Sequence, residues 1–239
     1  VALVNAEVSK SDTDRNVDII KASAVQANTL VAKLKTLSPD DVAVYDTVAQ
    51  IQEMMAVLSG NDQKMLSEVE ATYTRALELD PNNYGYYLKL GQIKLATAAL
   101  KENESSRDDL LGEAKSLFET SVKKKTNFSD GYYYIALVDI AERDSSAAID
   151  NLEKAFTYNT SSIDIAYELA RQYRLRAQGD DLDGAEKILT SILSKNEKLV
   201  NVILELALVY EKKEDKAHAI EQYENCLLYT SDAADDTPC

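Results

Sequence analysis

Few residues in this sequence have side chains that could do catalytic or metal chemistry. His218 is the one histidine, and no second histidine stands near it at metal-ligand spacing. Because a zinc site or a general base needs histidine together with partner side chains, we interpret His218 as a solvated helix residue. A glycine-rich phosphate loop, an HExxH zinc motif and a nucleophile elbow are all absent from the sequence. We predict a protein with no catalytic residue, no metal site and no cofactor.

Both cysteines, Cys226 and Cys239, lie in a C-terminal segment that departs from the pattern of the preceding chain. The stretch CLLYTSDAADD, residues 226–236, resembles the translation of a transposase adapter used to prepare sequencing libraries. The resemblance implies that residues 226–239 are a non-native tail and that the helical pattern stops at Asn225. It also implies that neither cysteine has a redox or metal role. A genuine C-terminal extension is the alternative.

Composition and charge narrow the class of protein. The chain of 239 residues is 45% hydrophobic and 28% charged, with 7 Gly and 3 Pro, which favours a globular and helical protein. Its formal net charge of -15 would repel a phosphate backbone, so we predict no nucleic-acid partner. The dense basic run Lys123 to Lys125 is interpreted as a complement to the C-terminal dipole of a helix. No run of about eighteen apolar residues is present, so we expect no membrane contact by this segment itself.

The residues from Ser129 to Thr160 define a repeating unit of two helices. Ala136 and Ala148 face each other across a turn at Glu142 to Ser146, where two antiparallel helices can approach closely because both side chains are small. One helical stripe is formed by Tyr132, Ile135, Ala136 and Asp139, and a second by Ala148, Leu152 and Ala155.

This pattern resembles the tetratricopeptide repeat (TPR), a helix-turn-helix unit of about 34 residues. Tyr87, Leu90 and Gly91 match the large leading residue and the Leu-Gly pair of that repeat, and Pro39 and Pro81 each follow a periodic apolar run. The resemblance implies an all-α fold, a right-handed α-solenoid of stacked TPR-type hairpins. About five hairpins are predicted, at residues 42–81, 84–126, 129–160, 163–197 and 200–225, the last truncated, after an N-terminal helical segment at residues 1–41.

The second hairpin is longer than a standard repeat. Its extra residues include KENESSRDD, Lys101 to Asp109, which we interpret as a loop inserted between the two helices. Because the cost of closing a loop grows only logarithmically with its length, such an insertion would not disturb the stack.

Tyrosine is the enriched residue type, with 14 Tyr against 3 Phe and 0 Trp. By the TPR resemblance, Tyr87 and Tyr132 take the position of the buried leading aromatic. Tyr133 and Tyr167 are placed by it on the side that lines the groove of TPR proteins. Rigid side chains that combine apolar area with a hydroxyl suit peptide binding. Ordinary surface or inter-repeat packing is the alternative interpretation of these tyrosines.

The resemblance implies a mostly apolar groove, with one cation, along the first helix of each hairpin. TPR proteins that bind chaperones grip a C-terminal carboxylate with a lysine-asparagine clamp. Leu88, Tyr133 and Tyr167 stand here in place of lysine, so that ligand is disfavoured. The predicted groove residues are Leu88, Gln92, Tyr133, Leu137, Tyr167, Arg171, Leu204 and Leu208.

We therefore predict a non-catalytic scaffold that binds a protein or peptide segment in this groove. The alternative is the soluble C-terminal TPR region of a bacterial membrane enzyme of the O-antigen ligase-like type, because Glu78 to Leu95 and Ala207 to Asn225 are similar to the repeats of such proteins. The sequence begins at Val1 and not at a methionine, so an upstream membrane anchor or signal peptide is compatible with it. The sequence does not distinguish the cytoplasmic from the extracytoplasmic side of a bacterial membrane.

Overall fold

The structure, a computed structural model, describes residues 17–58, 60 and 62–235. Residues 1–16 of the predicted N-terminal segment lie outside this part of the chain. Within the described residues the chain forms eleven α-helices and no strand. They are α1 (Val17–Leu37), α2 (Val42–Leu58), α3 (Gln63–Leu79), α4 (Tyr84–Ala99), α5 (Glu104–Lys124), α6 (Ser129–Ala141), α7 (Ser145–Tyr158), α8 (Ile163–Arg176), α9 (Asp181–Leu193), α10 (Val200–Lys212) and α11 (Lys216–Asp235).

The helices pack as hairpins of consecutive pairs, α2 with α3, α4 with α5, α6 with α7, α8 with α9 and α10 with α11. The second helix of one hairpin also packs on the first helix of the next, as in the α3–α4, α7–α8 and α9–α10 junctions. The chain divides into two compact units, residues 1–125 and residues 126–239. The first unit contains α1 to α5, and the second contains α6 to α11.

The core of the first unit is built around Phe118 and two tyrosines. Phe118 on α5 is fully buried, and its ring lies against Gly91 on α4. Tyr73 and Tyr86 are each 4% exposed, and their ring centroids lie 6.1 Å apart. The Tyr86 hydroxyl donates to the Asp46 carboxylate at 2.7 Å, which satisfies its polar end inside the core.

Tyr87, predicted as the buried aromatic of this repeat, is instead half-buried at the helix surface. Its hydroxyl donates to the carbonyl of Pro81 at 3.1 Å, and the Lys124 ammonium lies 5.2 Å from its ring centroid. Lys125 makes a similar cation–π contact with Tyr84 at 4.5 Å. The basic run Lys123 to Lys125 therefore does more than complement the dipole of α5. Two of its lysines also contact tyrosines in the first turn of α4.

The core of the second unit contains the two alanines that predicted a close helix approach. Ala136 on α6 and Ala148 on α7 are both fully buried. Ile149 and Leu152, also fully buried, pack with Ala136 and with Leu169 of α8. Ala136 thus lies where two hairpins share one apolar core.

The extra residues of the second hairpin lengthen a helix and do not form the predicted loop. α4 ends at Ala99 and α5 begins at Glu104, so residues 104–109 are helical. Asn103 starts this helix because its side-chain oxygen accepts a hydrogen bond from the Ser106 amide at 3.0 Å. Glu104 then places a negative charge in the first turn, where the helix dipole favours it.

Replacing this cap is expected to weaken α5. Asn103→Ala removes the acceptor for the Ser106 amide and should lower the free energy of unfolding by about 1 kcal/mol. Urea denaturation followed by circular dichroism measures the change. Ser105→Ala, an exposed substitution in the same turn, is the control and should stay within about 0.5 kcal/mol of wild type. Equal stability of Asn103→Ala and wild type would show that α5 does not start at this cap.

A buried ion pair closes the turn between α8 and α9. Arg176 donates two hydrogen bonds to the Asp181 carboxylate, at 2.8 and 2.7 Å, and the Gln178 amide adds a third at 2.9 Å. The Asp181 side chain is 6% exposed. The Arg176 guanidinium, aided by the Gln178 amide, lowers the pKa of Asp181, although burial opposes the shift.

This ion pair predicts acid sensitivity of the second unit. Because the folded pKa of Asp181 is below its unfolded value, the stabilisation is fully present above the unfolded pKa and is lost as pH falls through the lowered folded pKa. The difference in unfolding free energy between wild type and Asp181→Asn should therefore shrink in acid. Asp180→Asn, an exposed neighbour, is the control. A difference that stays constant from neutral to acid pH would contradict this assignment.

α11 continues past the position where the sequence predicted a break. The helix runs through Cys226 to Asp235, so most of the adapter-like segment is helical in the structure. Leu227 and Leu228 are 70% and 56% exposed, so these side chains add little burial. Residues 236–239 lie outside the described part of the chain. That residues 226–239 are non-native stays a prediction.

Candidate interaction surface on the first helices

Six of the eight predicted groove residues lie on the first helices of the hairpins in the second unit. The α8 and α10 helices contact each other directly. All six side chains are at least partly exposed, and Leu204 is 42% exposed. We call this surface the first-helix face. It comprises Tyr133 and Leu137 on α6, Tyr167 and Arg171 on α8, and Leu204 and Leu208 on α10.

The other two predicted residues, Leu88 and Gln92, lie on α4 in the first unit. Leu88 is 7% exposed and so is buried in that unit, which corrects its interpretation as a groove residue. Gln92 is half-buried. Between them, Lys89 forms a 2.8 Å ion pair with Glu53 of α2. This part of α4 is therefore occupied by contacts within the first unit.

Tyr133 is partly a core residue. Its ring packs against the cluster of Ala136, Ile149, Leu152 and Leu169, and meets the Tyr134 ring edge-on at 5.5 Å. Burial raises the pKa of Tyr133, and the nearby carboxylates of Asp164 and Glu168 raise it further. Since both acids belong to α8, Tyr133 lies beside the next hairpin of the stack.

Tyr132, predicted as a core residue, lies half-exposed at the end of the hairpin. It stands in the first turn of α6, where the last turn of α7 covers it. The ring stacks on Tyr158 at a centroid distance of 5.7 Å, and the Lys154 ammonium lies 5.7 Å from its centroid. The sequence pattern placed Tyr132 on the buried stripe, whereas its ring is only half-buried in the structure.

Arg171 is held in place by Glu168. One guanidinium nitrogen donates to both Glu168 carboxylate oxygens, at 3.0 and 3.4 Å, and Gln172 donates to the same carboxylate at 2.7 Å. The Arg171 side chain stays 43% exposed. The predicted cation is therefore both oriented and open to solvent.

A buried ion pair behind this face escaped the sequence analysis. Arg174 of α8 donates to Glu205 of α10 at 2.5 and 3.3 Å, and the Glu205 side chain is only 4% exposed. The pair joins two first helices of successive hairpins. A signal for it existed in the sequence. Glu205 directly precedes Leu206-Ala207, just as Lys89 directly precedes Leu90-Gly91. Both charges form ion pairs with the preceding first helix.

Three other features of the described residues bear on function: possible metal ligands, the environment of His218 and helices long enough to span a membrane. Among the residues that the structure describes, no three His, Cys, Asp or Glu side chains lie close enough together to hold a metal ion. His218 is 57% exposed, and its Nδ1 atom lies 2.7 Å from an Asp215 carboxylate oxygen, which raises the pKa of His218. No helix in the described part of the chain is long and apolar enough to cross a membrane.

Comparison with known proteins defines the class of fold. No protein-family model and no curated protein sequence matches the chain. Among solved structures, MamA is similar over 83% of this chain and 96% of its own, at 20% identity and a TM-score of 0.62. YrrB, a TPR protein with an unusual peptide-binding site, is similar over 84% and 93%, at 17% identity and a TM-score of 0.61.

Yeast Tom70 is a third similar structure. The likeness covers 92% of this chain and 42% of Tom70, at 18% identity and a TM-score of 0.62. These likenesses, together with the all-helical hairpins, show that the chain has the fold of a TPR solenoid. The predicted fold class and the resemblance to TPR proteins are thereby confirmed.

Proposed function

We propose that this protein is a non-catalytic scaffold that binds a protein or peptide segment across the first-helix face of its second unit. The observation that carries the proposal is the exposure of apolar and aromatic side chains beside one fixed cation on contacting helices. Leu204 and Leu175 are 42% and 52% exposed, and Leu175 continues the helical stripe of Tyr167 and Arg171. Such a surface offers apolar contact area with a charged anchor.

The rigidity of this face supports the proposal. The ion pair of Arg174 with Glu205 holds α8 against α10, and Glu168 fixes the orientation of Arg171. A partner would therefore meet side chains that are already ordered, which lowers the entropic cost of binding. The fold supports a binding role as well, because the similar protein YrrB has a peptide-binding site.

The chemistry of the face suggests the kind of segment it binds. Tyr133, Tyr167 and Leu204 offer apolar area, while Arg171 offers donors to an acid. A segment with apolar side chains and one carboxylate opposite Arg171 matches both features. By the TPR resemblance, Leu88, Tyr133 and Tyr167 stand in place of the clamp lysines, so a terminal carboxylate is disfavoured as the ligand.

Selection from a phage-displayed peptide library against the full chain tests this function. Tyr167→Ala is expected to weaken selected peptides by about 30-fold, equivalent to about 2 kcal/mol at a binding hot spot. Fluorescence anisotropy with labelled peptides measures the affinity. Tyr158→Ala is the matched control, because Tyr158 is 47% exposed and lies outside the first-helix face.

Two results would contradict the proposal. One is an equal loss of affinity in Tyr167→Ala and Tyr158→Ala, which would indicate a general loss of structure. The other is selection of peptides whose affinity Tyr167→Ala and Leu204→Ser leave unchanged, which would place the binding surface elsewhere. Leu100→Ser, at a leucine 45% exposed in the first unit, is the control for Leu204→Ser.

A further inference from the structure

Three of the hairpins carry a tyrosine four residues before the small residue of their first helix. We call this place the leading position of a hairpin. In the hairpin of α8 and α9 the leading position, four residues before Ala170, holds Ala166, so this hairpin lacks a ring there. The three tyrosines and their small residues are Tyr45 with Ala49, Tyr87 with Gly91 and Tyr132 with Ala136.

The hydroxyl of a leading tyrosine has a fixed acceptor in the first two hairpins. Tyr45 donates to the carbonyl of Pro39 at 2.9 Å. Tyr87 donates to the carbonyl of Pro81 at 3.1 Å. The acceptor stands six residues before the tyrosine in both cases, and the residue six positions before the leading position of α8 is Thr160. The backbone of Thr160 therefore stands where a tyrosine hydroxyl would find its acceptor.

The ring of a leading tyrosine also lies beside a cation from the end of the second helix. The Lys124 ammonium lies 5.2 Å from the Tyr87 ring centroid, a distance at which the ring face attracts a cation. Lys124 stands ten residues after the buried alanine of its helix, Ala114. Lys195 stands ten residues after Ala185, the buried alanine of α9, and is its counterpart.

The structure has a cavity at Ala166, where the other hairpins have a ring. The cavity has a volume of 110 Å³, and Ala166 itself is 4% exposed. Thr160 and Lys195, the counterparts of the acceptor and of the cation, both line it. We call it the Ala166 cavity. Its apolar walls are formed by Phe156, Ile163, Ile188 and Ile192.

The size of the Ala166 cavity suits a single aromatic ring. In another protein, an apolar cavity of about 150 Å³ binds benzene. A smaller space is sufficient here, because the Tyr132 ring is itself only half-buried at the leading position of its hairpin. In the hairpin of α10 the leading position is occupied by Ile203, which is 2% exposed. Among the five hairpins that the structure describes, the α8 hairpin alone has a small side chain at this place.

We infer that the Ala166 cavity binds a tyrosine side chain supplied by a partner protein. The ring would lie between the apolar walls with the Lys195 ammonium over its face, and its hydroxyl would donate to the carbonyl of Thr160. A protein is favoured over a free phenol because Ile163, at the rim, is 47% exposed and would be covered by the residues that flank the ring. The inference does not depend on binding at the first-helix face.

The molecule p-cresol, which is the side chain of tyrosine, is a direct probe of the cavity. In the full chain labelled at isoleucine methyl groups, p-cresol should cause saturable NMR shifts of Ile163, Ile188 and Ile192. Ile51, buried in the first unit, should not shift. N-acetyl-tyrosinamide, which carries the same ring on a peptide backbone, should shift the same three methyl groups. Cyclohexanol, which has a similar size and no aromatic face, should bind about 3-fold more weakly.

Two substitutions test the residues of the cavity. Ala166→Tyr supplies the side chain that three other hairpins carry, so it should raise the melting temperature and weaken p-cresol binding by about 10-fold or more, because the space is filled. Lys195→Ala changes an exposed residue, so it should leave the melting temperature unchanged and weaken binding by about 3-fold. Lys198→Ala is the matched control, because Lys198 is an exposed lysine of the same loop outside the cavity.

Four results would overturn the proposal. The first is p-cresol binding that Lys195→Ala leaves unchanged or that Lys198→Ala weakens equally. The second is equal affinity for cyclohexanol, which would remove the aromatic preference. The third is binding of p-cresol together with exclusion of N-acetyl-tyrosinamide, which would assign the cavity to a free phenol. The fourth is binding lost on Tyr167→Ala and kept on Ala166→Tyr, which would place the ring on the first-helix face.

Discussion

Phe118→Ala is expected to lower the free energy of unfolding by about 3–5 kcal/mol, because it removes a fully buried aromatic ring from the core of the first unit. The ring lies where α4 and α5 approach each other at Gly91. A Cβ atom at Gly91 would lie 2.4 Å from the nearest ring carbon, which is closer than real side chains pack. Urea denaturation monitored by circular dichroism measures the loss.

The contact can be tested from the glycine side as well. Gly91→Ala should cost about 1–3 kcal/mol, because the ring must move to admit the new methyl group. Phe118→Leu should relieve part of this cost, so the double variant should be more stable than the sum of the single effects predicts. Gly112→Ala, also within a helix but facing open space, is the control and should stabilise by about 0.5–1 kcal/mol. Additive single effects would show that residues 91 and 118 do not pack together.

Glu205→Ala is expected to destabilise the second unit by about 3 kcal/mol, because it leaves the Arg174 guanidinium in a largely buried place without its carboxylate. The expected cost is at the lower end for buried pairs, since Arg174 is 18% exposed and keeps some hydration. Urea denaturation again gives the difference. Binding to the first-helix face should weaken at the same time, since α8 and α10 lose the pair that holds them together.

A matched comparison separates the ion pair from simple loss of charge. Replacing both partners, Arg174→Leu with Glu205→Leu, should cost much less than Glu205→Ala, because no buried charge then lacks a partner. Glu78→Ala removes a surface partner of Arg75 and should cost less than about 1 kcal/mol. If Glu78→Ala and Glu205→Ala lowered the free energy of unfolding equally, burial of the Arg174–Glu205 pair would have no energetic consequence.

The sequence by itself determined the hairpin repeat and most of its helices, although not the helical start of α5 or the continuation of α11 past Asn225. Apolar residues at helical spacing, with Ala136 and Ala148 as the small pair, were enough to predict stacked hairpins, because this information is local and recurs along the chain. The sequence also indicated the cation of the first-helix face, Arg171. The sequence could not show how far neighbouring helices bury each side chain.

Only the tertiary structure decided which neighbouring residue of a helix is buried. Successive residues are rotated by about 100° around a helix, so adjacent tyrosines can both lie at the edge of the buried stripe. Tyr86 and not Tyr87 enters the core, and Tyr132 stays half-exposed, because of what the packed neighbouring helices cover. Burial of Leu88 has the same origin.

The same physical reason explains the ion pair and the unequal burial of two isoleucines. Arg174 and Glu205 meet only because α8 packs on α10, and this contact joins residues distant in sequence. Ile149 and Ile220 stand at equivalent positions of two similar helices, yet one is fully buried and the other 58% exposed. Local pattern makes both positions apolar, whereas the packing of a neighbouring helix decides which of them is covered.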